Sequence, residues 1–295
     1  MRRSLLLFLR ALGTLAGVWV FVQLLPRWLP EDPARVAAGE FATAADVEAM
    51  RHLLGLDQPW ARSLGKAAGA LLHGDLGQSL RYRKPVAEVL AAGLPVSLRL
   101  ALLAMLGSSL VAWLLAARRT RWSGLFQSAA VASPVYVLGP LLLWSVAQHV
   151  PGLPVAGAKG WASWVLPTLA LSVPLAGHQA RVIGSMLDAL TSSPGLRCWQ
   201  GAGVPWWTRW RRWIFPAVSG PWLTILGLQL GGLLGGAVIV ETIFALPGLG
   251  QTLVNALASR DLPLVQGAVL LGSGLYVAAQ MLVESVQGLV DPRAR

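Results

Sequence analysis

Apolar residues run through this sequence in long blocks. They follow neither the three-to-four-residue rhythm of a soluble amphipathic helix nor the alternation of a half-buried strand. Six blocks approach the roughly 20 residues a helix needs to cross a bilayer's hydrocarbon core: Ala11 to Leu29, Gly93 to Ala117, Leu125 to Ala147, Trp161 to Ala180, Ala217 to Val240 and Leu264 to Val290. The pattern predicts an all-α membrane protein with six transmembrane helices. The first block follows Arg2 and Arg3 as a secretory signal would. No small-x-small cleavage site follows it, and Pro26-Arg27-Trp28 reads as an interfacial anchor, so the block is taken as a retained span.

Composition sharpens this picture. Of the 295 residues 55% are hydrophobic and 13% charged, against about 25% charged in a soluble domain. Twenty-four Lys+Arg against 13 Asp+Glu leave a net charge of +11. No nucleic-acid-binding module accompanies that charge, and the basic residues sit between apolar blocks, which points to a membrane surface. With the N-terminus cytoplasmic, the inner connections hold Arg2, Arg3, Arg10, Arg118, Arg119, Arg121, Arg181, Arg197, Arg209, Arg211, Arg212, Arg293 and Arg295. Against them stand Asp188, Glu284 and Asp291, whereas the outer connections balance acid with base. Both termini are therefore expected inside. The segment 30–92 is too long for plain linker, and its Thr43-Ala44-Ala45-Asp46 string resembles a capping box. It is read as a folded cap on the outer surface.

Enzymatic chemistry finds little support. The histidines His52, His73, His149 and His178 are far apart, and no HExxH, GxSxG, DxD or Walker pattern occurs. The lone Cys198 excludes an intrachain disulfide and cannot build a structural zinc site by itself. His178 in the fourth block is either a proton relay or a solvated interfacial group, and Arg99 and Glu284 lie near span ends where they can snorkel.

The segment 181–216 is basic and rich in tryptophan. At 100° per residue Trp206, Trp210 and Trp213 share a face within about 60°, with Arg209, Arg211 and Arg212 off it and Pro205 suited to a first turn. Such a helix lies on the membrane face, as an anchor, as a platform for a cytoplasmic partner, or as both. In the fifth block Gly227, Gly231 and Gly235, and also Gly232 and Gly236, recur every four residues. With Gln229 they mark a helix seam or a pathway lining. Pro134, Gly139, Pro140, Pro167 and Pro174 are expected to kink the third and fourth spans.

Several strings resemble one family. Gly55-Leu56-Asp57-Gln58-Pro59, then Gly74-Asp75-Leu76-Gly77-Gln78-Ser79 with Pro85-Val86, is similar to the first outer loop of permease subunits of bacterial dipeptide, oligopeptide and nickel ABC importers. Val240-Glu241-Thr242-Ile243-Phe244, Pro247-Gly248-Leu249-Gly250, Arg260-Asp261 and Pro263 resemble the segment after that family's fifth span, and Asp291-Pro292-Arg293 its ending. The resemblance implies a single permease domain over 1–295 with the type I importer fold, an outer loop at 30–92 and a coupling loop at 181–216, in a bacterial inner membrane. It implies four kinds of partner: a second permease, more often a distinct chain; two cytoplasmic ATPases carrying ATP and Mg²⁺; a periplasmic solute-binding protein; and membrane lipid. The chain itself needs no cofactor or metal. Its cargo is a short peptide or a nickel chelate.

In that family the coupling helix sits in an Ala-rich string ending in glycine, followed by a basic position and a proline. Gly203 matches the glycine, Arg212 the basic position and Pro221 the proline, with Gly201 and Arg209 completing the predicted coupling set. The stretch Pro194 to Ala202 departs from the pattern. Proline and glycine cost about 3 and 1 kcal/mol in a helix interior, so the coupling helix is expected to start later than usual, with either the ATPase groove adapted to it or coupling weakened. Glu241, Arg260 and Asp261 are read either as docking or gating groups or as loop-stabilising ions. The remaining alternatives are a secondary transporter, which needs charges deep in its spans, and an assembly subunit that has lost transport.

Overall fold

The computed structural model describes residues 2–28, 32–39, 41–118, 120–150, 154 and 156–290. The ending Asp291-Pro292-Arg293 lies outside them. The described residues form helices with no strands and one isolated bridge, Gln78 to Pro85. The chain divides into two compact units, Met1–Pro95 with Pro247–Val277, and Val96–Leu246 with Ala278–Arg295.

The first unit begins with α1 (Arg2–Trp28). The segment beyond it is helical, as α2 (Pro33–Ala38), α3 (Ala44–Leu53) and α4 (Trp60–Leu72). The predicted capping box is present: Thr43 Oγ1 accepts from the Asp46 amide, and the Thr43 amide and hydroxyl donate to Asp46. Those two bonds from Thr43 hold the Asp46 carboxyl below its usual range. A depressed carboxylate strengthens the cap above the ordinary carboxylate pKa, and that support is lost as pH falls through the lowered value. Asp32 joins α2 to α3 by accepting from the Ala34 amide and pairing with Arg51. The unit's core is Val86 and Leu90 of α5 (Val86–Ala117), Ala256 of α12 (Leu249–Ala258), and Leu264, Val265 and Ala268 of α13 (Leu262–Val290). A Cβ on Gly267 would come within 2.5 Å of Val86, so glycine there lets α13 press onto α5.

The second unit holds the rest of α5, then α6 (Arg121–Ala132), α7 (Val135–His149), a 3₁₀ turn (Ala162–Trp164), α8 (Val165–Thr191), α9 (Pro194–Gly201), α10 (Trp206–Arg209), a π turn (Trp210–Ile214), α11 (Phe215–Ile243) and the end of α13. Helix α8 is its axis, packing most extensively on α6 and α11 and then on α7. It enters two clusters, with Leu166, Ala170 and Leu171 beside Leu100 and Val240, and Ala180 and Ile183 beside Ala112 and Val218. Its neighbour α5 shows the two sides that a membrane helix requires. Leu100, Ala104, Ser108, Ala112 and Ala116 are buried at four-residue spacing, while Leu98, Leu102, Leu106, Leu110 and Leu114 are exposed.

Three of the predicted spans differ from what folds. The third is not one straight helix: α6 and α7 meet at 109°. Pro134 has no amide to donate and disfavours helix in the residue before it, and Ser133 is extended at φ −90°, ψ 104°. The fourth starts later and runs eleven residues beyond Ala180 as α8. The fifth does not begin at Ala217, because the helical run is continuous from Trp206. By length and composition four helices among the described residues can cross a membrane, or five if the bent pair counts as one span. Helix α8 falls outside that set; His178, Gln179 and Arg181 lower its mean hydropathy, and of these Gln179 is buried.

The contact of α8 with α6 rests on Gly177, where a Cβ would lie 2.9 Å from the Ala130 Cβ and 3.1 Å from the Gln127 carbonyl. Gly177→Val is therefore expected to lower stability by about 1–3 kcal/mol through overpacking, read as a lower midpoint of unfolding in mixed micelles. Gly184→Val on the same helix meets open space and serves as the control, with no loss expected because valine is a slightly better helix former than glycine.

Candidate functional site

The outer family strings converge on one carboxylate. Gly74 and Gly77 take left-handed φ of 74° and 83°, and the Gly77 amide donates to Asp75 Oδ1 at 2.8 Å. This turn delivers Ser79, whose hydroxyl donates to Asp261 Oδ2 at 2.5 Å. The same oxygen accepts from the Arg81 amide at 3.1 Å, and Oδ1 accepts from Leu264 at 3.2 Å. Asp261 thus caps the first turn of α13 and fastens the 74–81 turn to it, with neither Asp261 nor Ser79 meaningfully exposed. Both oxygens of the carboxylate are thus bonded inside the fold. The neighbouring Arg260 is exposed, with a left-handed φ of 56°. Gly248 precedes α12, and its backbone lies 3.0 Å from where a Cβ of Gly93 would be, while Gly250 is buried. Pro247, beside them, is exposed.

Glu241 and Phe244 belong to the second unit. Glu241 is fully buried, and its Oε1 accepts from the Ser97 hydroxyl at 2.5 Å. Phe244 is 1% exposed and its carbonyl accepts from Gly157. Both side chains are buried within this unit.

The 181–216 segment is more ordered than its sequence suggests. Helix α9 starts at Pro194, with Ser193 accepting from the Leu196 amide. The late start expected from Pro194 and Gly195 does not occur. Pro194 occupies the first turn, where no intrahelical amide bond is lost, and Gly195 admits Trp213, which would stand 2.8 Å from a Cβ there. At the other end Gly203 has φ +69°, its amide donates to Gln200, and Val204 donates to Trp199. This is the Schellman closure that favours glycine. Gly201 meets no other atom within 4 Å where a Cβ would stand among the described residues, so nothing in the fold explains a glycine there. Arg212 is exposed, Arg209 is half-buried and Pro221 lies inside α11.

Tryptophans link this segment to the bundle interior. Trp206 stacks on Trp210 at 5.5 Å and 9°. Trp210 meets Trp113 of α5 edge-on at 5.4 Å, and Trp113 meets Trp222 of α11 at 5.7 Å. Trp213, within the π turn, packs on Trp199 at 5.5 Å. Trp222 Nε1 donates to Gln179 Oε1 at 3.2 Å. Gln179 Nε2 donates to Gln229 Oε1 at 2.8 Å and to Ser108 Oγ at 3.0 Å, and Gln229 Nε2 donates to the Leu175 carbonyl at 3.0 Å.

Of this network the sequence singled out Gln229 and missed Gln179, Ser108, Trp113 and Trp222. The available signal was a second amide in an apolar span, since a buried polar group needs a partner. By contrast His178 is exposed, Arg99 lies over the Trp164 ring at 4.6 Å, and Glu284 accepts from Gln280. Gly231, Gly232 and Gly235 are exposed on α11, whereas Gly227 and Gly236 meet Val283 and Leu171 closely. Among the described residues no three His, Cys, Asp or Glu side chains come together as a metal site would require.

The chain and its fold have counterparts among known proteins. Residues 104–295 match the family of binding-protein-dependent transport system inner membrane components, and the chain belongs to that family. It is 34% identical to a probable peptide ABC transporter permease, y4tP, of Sinorhizobium fredii, over 96% of each chain. It is 33% identical to the glutathione transport system permease GsiC of Escherichia coli K12, over 96% of this chain and 95% of that one. A crystal structure of an amino acid ABC transporter with histidines shares the fold, with a TM-score of 0.52 and 16% identity over 70% of this chain and 94% of that one. The protein is thus an inner-membrane permease component of an ABC transport system.

Two substitutions test the bonding described above. Asp261→Ala removes a cap and a charged hydrogen-bond hub and is expected to cost about 2–4 kcal/mol, measured as the unfolding midpoint in mixed micelles. Gln179→Leu strands its partners and should cost about 1–3 kcal/mol. The double variant Gln179→Leu/Gln229→Leu should cost less than the sum of its parts, and additivity in that cycle would show that the amides do not interact.

Proposed function

We propose that this chain is one of two permease subunits of an ATP-driven importer that carries short peptides from the periplasm to the cytoplasm. ATP and Mg²⁺ are held by two separate ATPase subunits, and a periplasmic binding protein delivers the solute. The observation that carries this reading is the continuous run of contacts from Trp206 through Trp210, Trp113 and Trp222 to Gln179 and Gln229. Helix α9, ending at Gly203, is the element an ATPase grips, and Arg197 on its exposed surface suits an acidic groove. Displacement of α9 moves Trp213 and the π turn, and the stiff ring contacts pass that motion to α5, α8 and α11 together. The α8–α11 amide bond then shifts as a unit instead of dissipating the movement in side-chain rotation. The exposed Gly231, Gly232 and Gly235 offer α11 a close approach to the second permease, which we read as a distinct chain.

Peptide cargo is favoured over a nickel chelate by the relatives, one named for peptides and one for glutathione, itself a tripeptide. Family membership weighs against a secondary transporter. A non-transporting assembly subunit is separated from the importer by the experiment below.

The test is uptake into proteoliposomes holding both permeases and the ATPases, with binding protein and labelled di- and tripeptides. Wild type is expected to import peptide only with ATP. Gly203→Val forces a β-branched residue into a left-handed backbone and is expected to lower uptake at least about tenfold, whereas Gly203→Asn, which tolerates that backbone, keeps most of it. Uptake driven by an ion gradient without ATP, import of a nickel chelate but no peptide, or ATPase binding without any uptake would overturn the reading.

A further inference from the structure

Within the first unit, a cavity of about 780 Å³ and an apolar groove of about 550 Å³ adjoin, sharing Trp19, Leu71, Leu76 and Leu270 as walls. The groove is lined by Leu12, Leu15 and Ala16 of α1 and by Leu271, Gly274 and Leu275 of α13. The cavity lies further along both helices and adds polar groups: Gln23 and Arg27 of α1, Gln266 of α13, and Asp75, Gln78 and Arg83 of the turn before α5. One end of this space is therefore oily and the other charged, with two guanidiniums against one carboxylate.

We propose that this joined space is a binding site for one phospholipid, an acyl chain lying in the groove and the phosphodiester held by Arg27 and Arg83. The protein resides in a membrane, so phospholipid is always at hand. From Leu12 to Arg27 the helix rises about 22 Å. One leaflet with its headgroup is about 20–22 Å thick, half of a 40–45 Å bilayer. The order along the helices also fits, because Arg27 and Trp28 end α1 where an interfacial anchor belongs and the leucines lie deeper. Asp75 already gives one oxygen to the Gly77 amide, and Arg27 gives one nitrogen to the Gln58 carbonyl at 2.9 Å. A guanidinium has donors to spare after one such bond, and the cavity's net positive charge suits a phosphate. A peptide fits the site less well, since the groove offers a polar backbone nothing to bond.

The test uses the purified importer in nanodiscs with two photoactivatable probes that carry a diazirine on the acyl chain, a phosphatidylethanolamine and a diacylglycerol without phosphate. The phospholipid is expected to label peptides spanning 12–19 and 270–275 more than the leucine face of α5. Arg27→Gln/Arg83→Gln should lower that labelling at least about fivefold, the loss of one basic contact at a lipid surface, and leave diacylglycerol labelling unchanged. Gly274→Trp, at a position where an added Cβ meets open space, should fill the groove and reduce labelling by both probes, and Leu15→Trp provides a second filling variant. Labelling no higher than on α5, insensitivity to the arginine pair, or crosslinks from the groove to the second permease instead of lipid would overturn the proposal.

Discussion

A helix packed among other helices has to satisfy each of its buried polar side chains without water, and α8 is the helix on which that constraint falls hardest. Its Gly177 lets α6 approach, Gly236 of α11 lies close on its Leu171, and its one large buried amide, Gln179, is bonded to α5 and to α11 twice over. Both clusters of the second unit are built on it. An apolar residue at 179 would still fill space, but it would leave Gln229, Trp222 and Ser108 each short of a bond. The network therefore specifies one register between helices that leucine packing alone would let slide.

The short strings that mark the family prove to be folding devices more than contact points. Asp261 caps a helix and holds a turn that lies far away in sequence, Gly203 closes α9, and the backbone of Gly248 lies against the open side of Gly93. Glycine and aspartate recur in such places because a left-handed backbone, a close approach and an uncapped helix end each accept few residue types. Glu241 is spent inside the fold on the Ser97 hydroxyl. Around them stands a framework of a terminated helix at α9, an aromatic run behind it, and an amide pair at the far end.

The aromatic run and the joined cavity and groove place tryptophan in two settings. In the second unit Trp206, Trp210, Trp113 and Trp222 touch one another, so each ring limits the rotation of the next. In the first unit Trp19 stands where the polar cavity passes into the apolar groove, the boundary its amphipathic ring suits. One residue type thus serves stiffness in one place and interface in the other, as its neighbours dictate.

Much of this was legible in the chain itself because the physics is local. A bilayer demands contiguous apolar residues, so the spans show in the sequence; the Thr43 to Asp46 box closes within one turn; and the glycine at 203 reads from its family string. The break at Pro134 was signalled by the proline, but its 109° angle depends on what α6 and α7 pack against. The seat of Trp213 had no local sign, since it lies against Gly195 and Trp199 of α9. The partners of Gln179 lie 71, 50 and 43 residues away along the chain. The sequence by itself determined the solvent of this protein, its helices and its family, all properties of neighbouring residues. The tertiary structure decided which polar side chains meet, which motif residues are buried and where a cavity opens, because those depend on contacts between segments that only folding brings together.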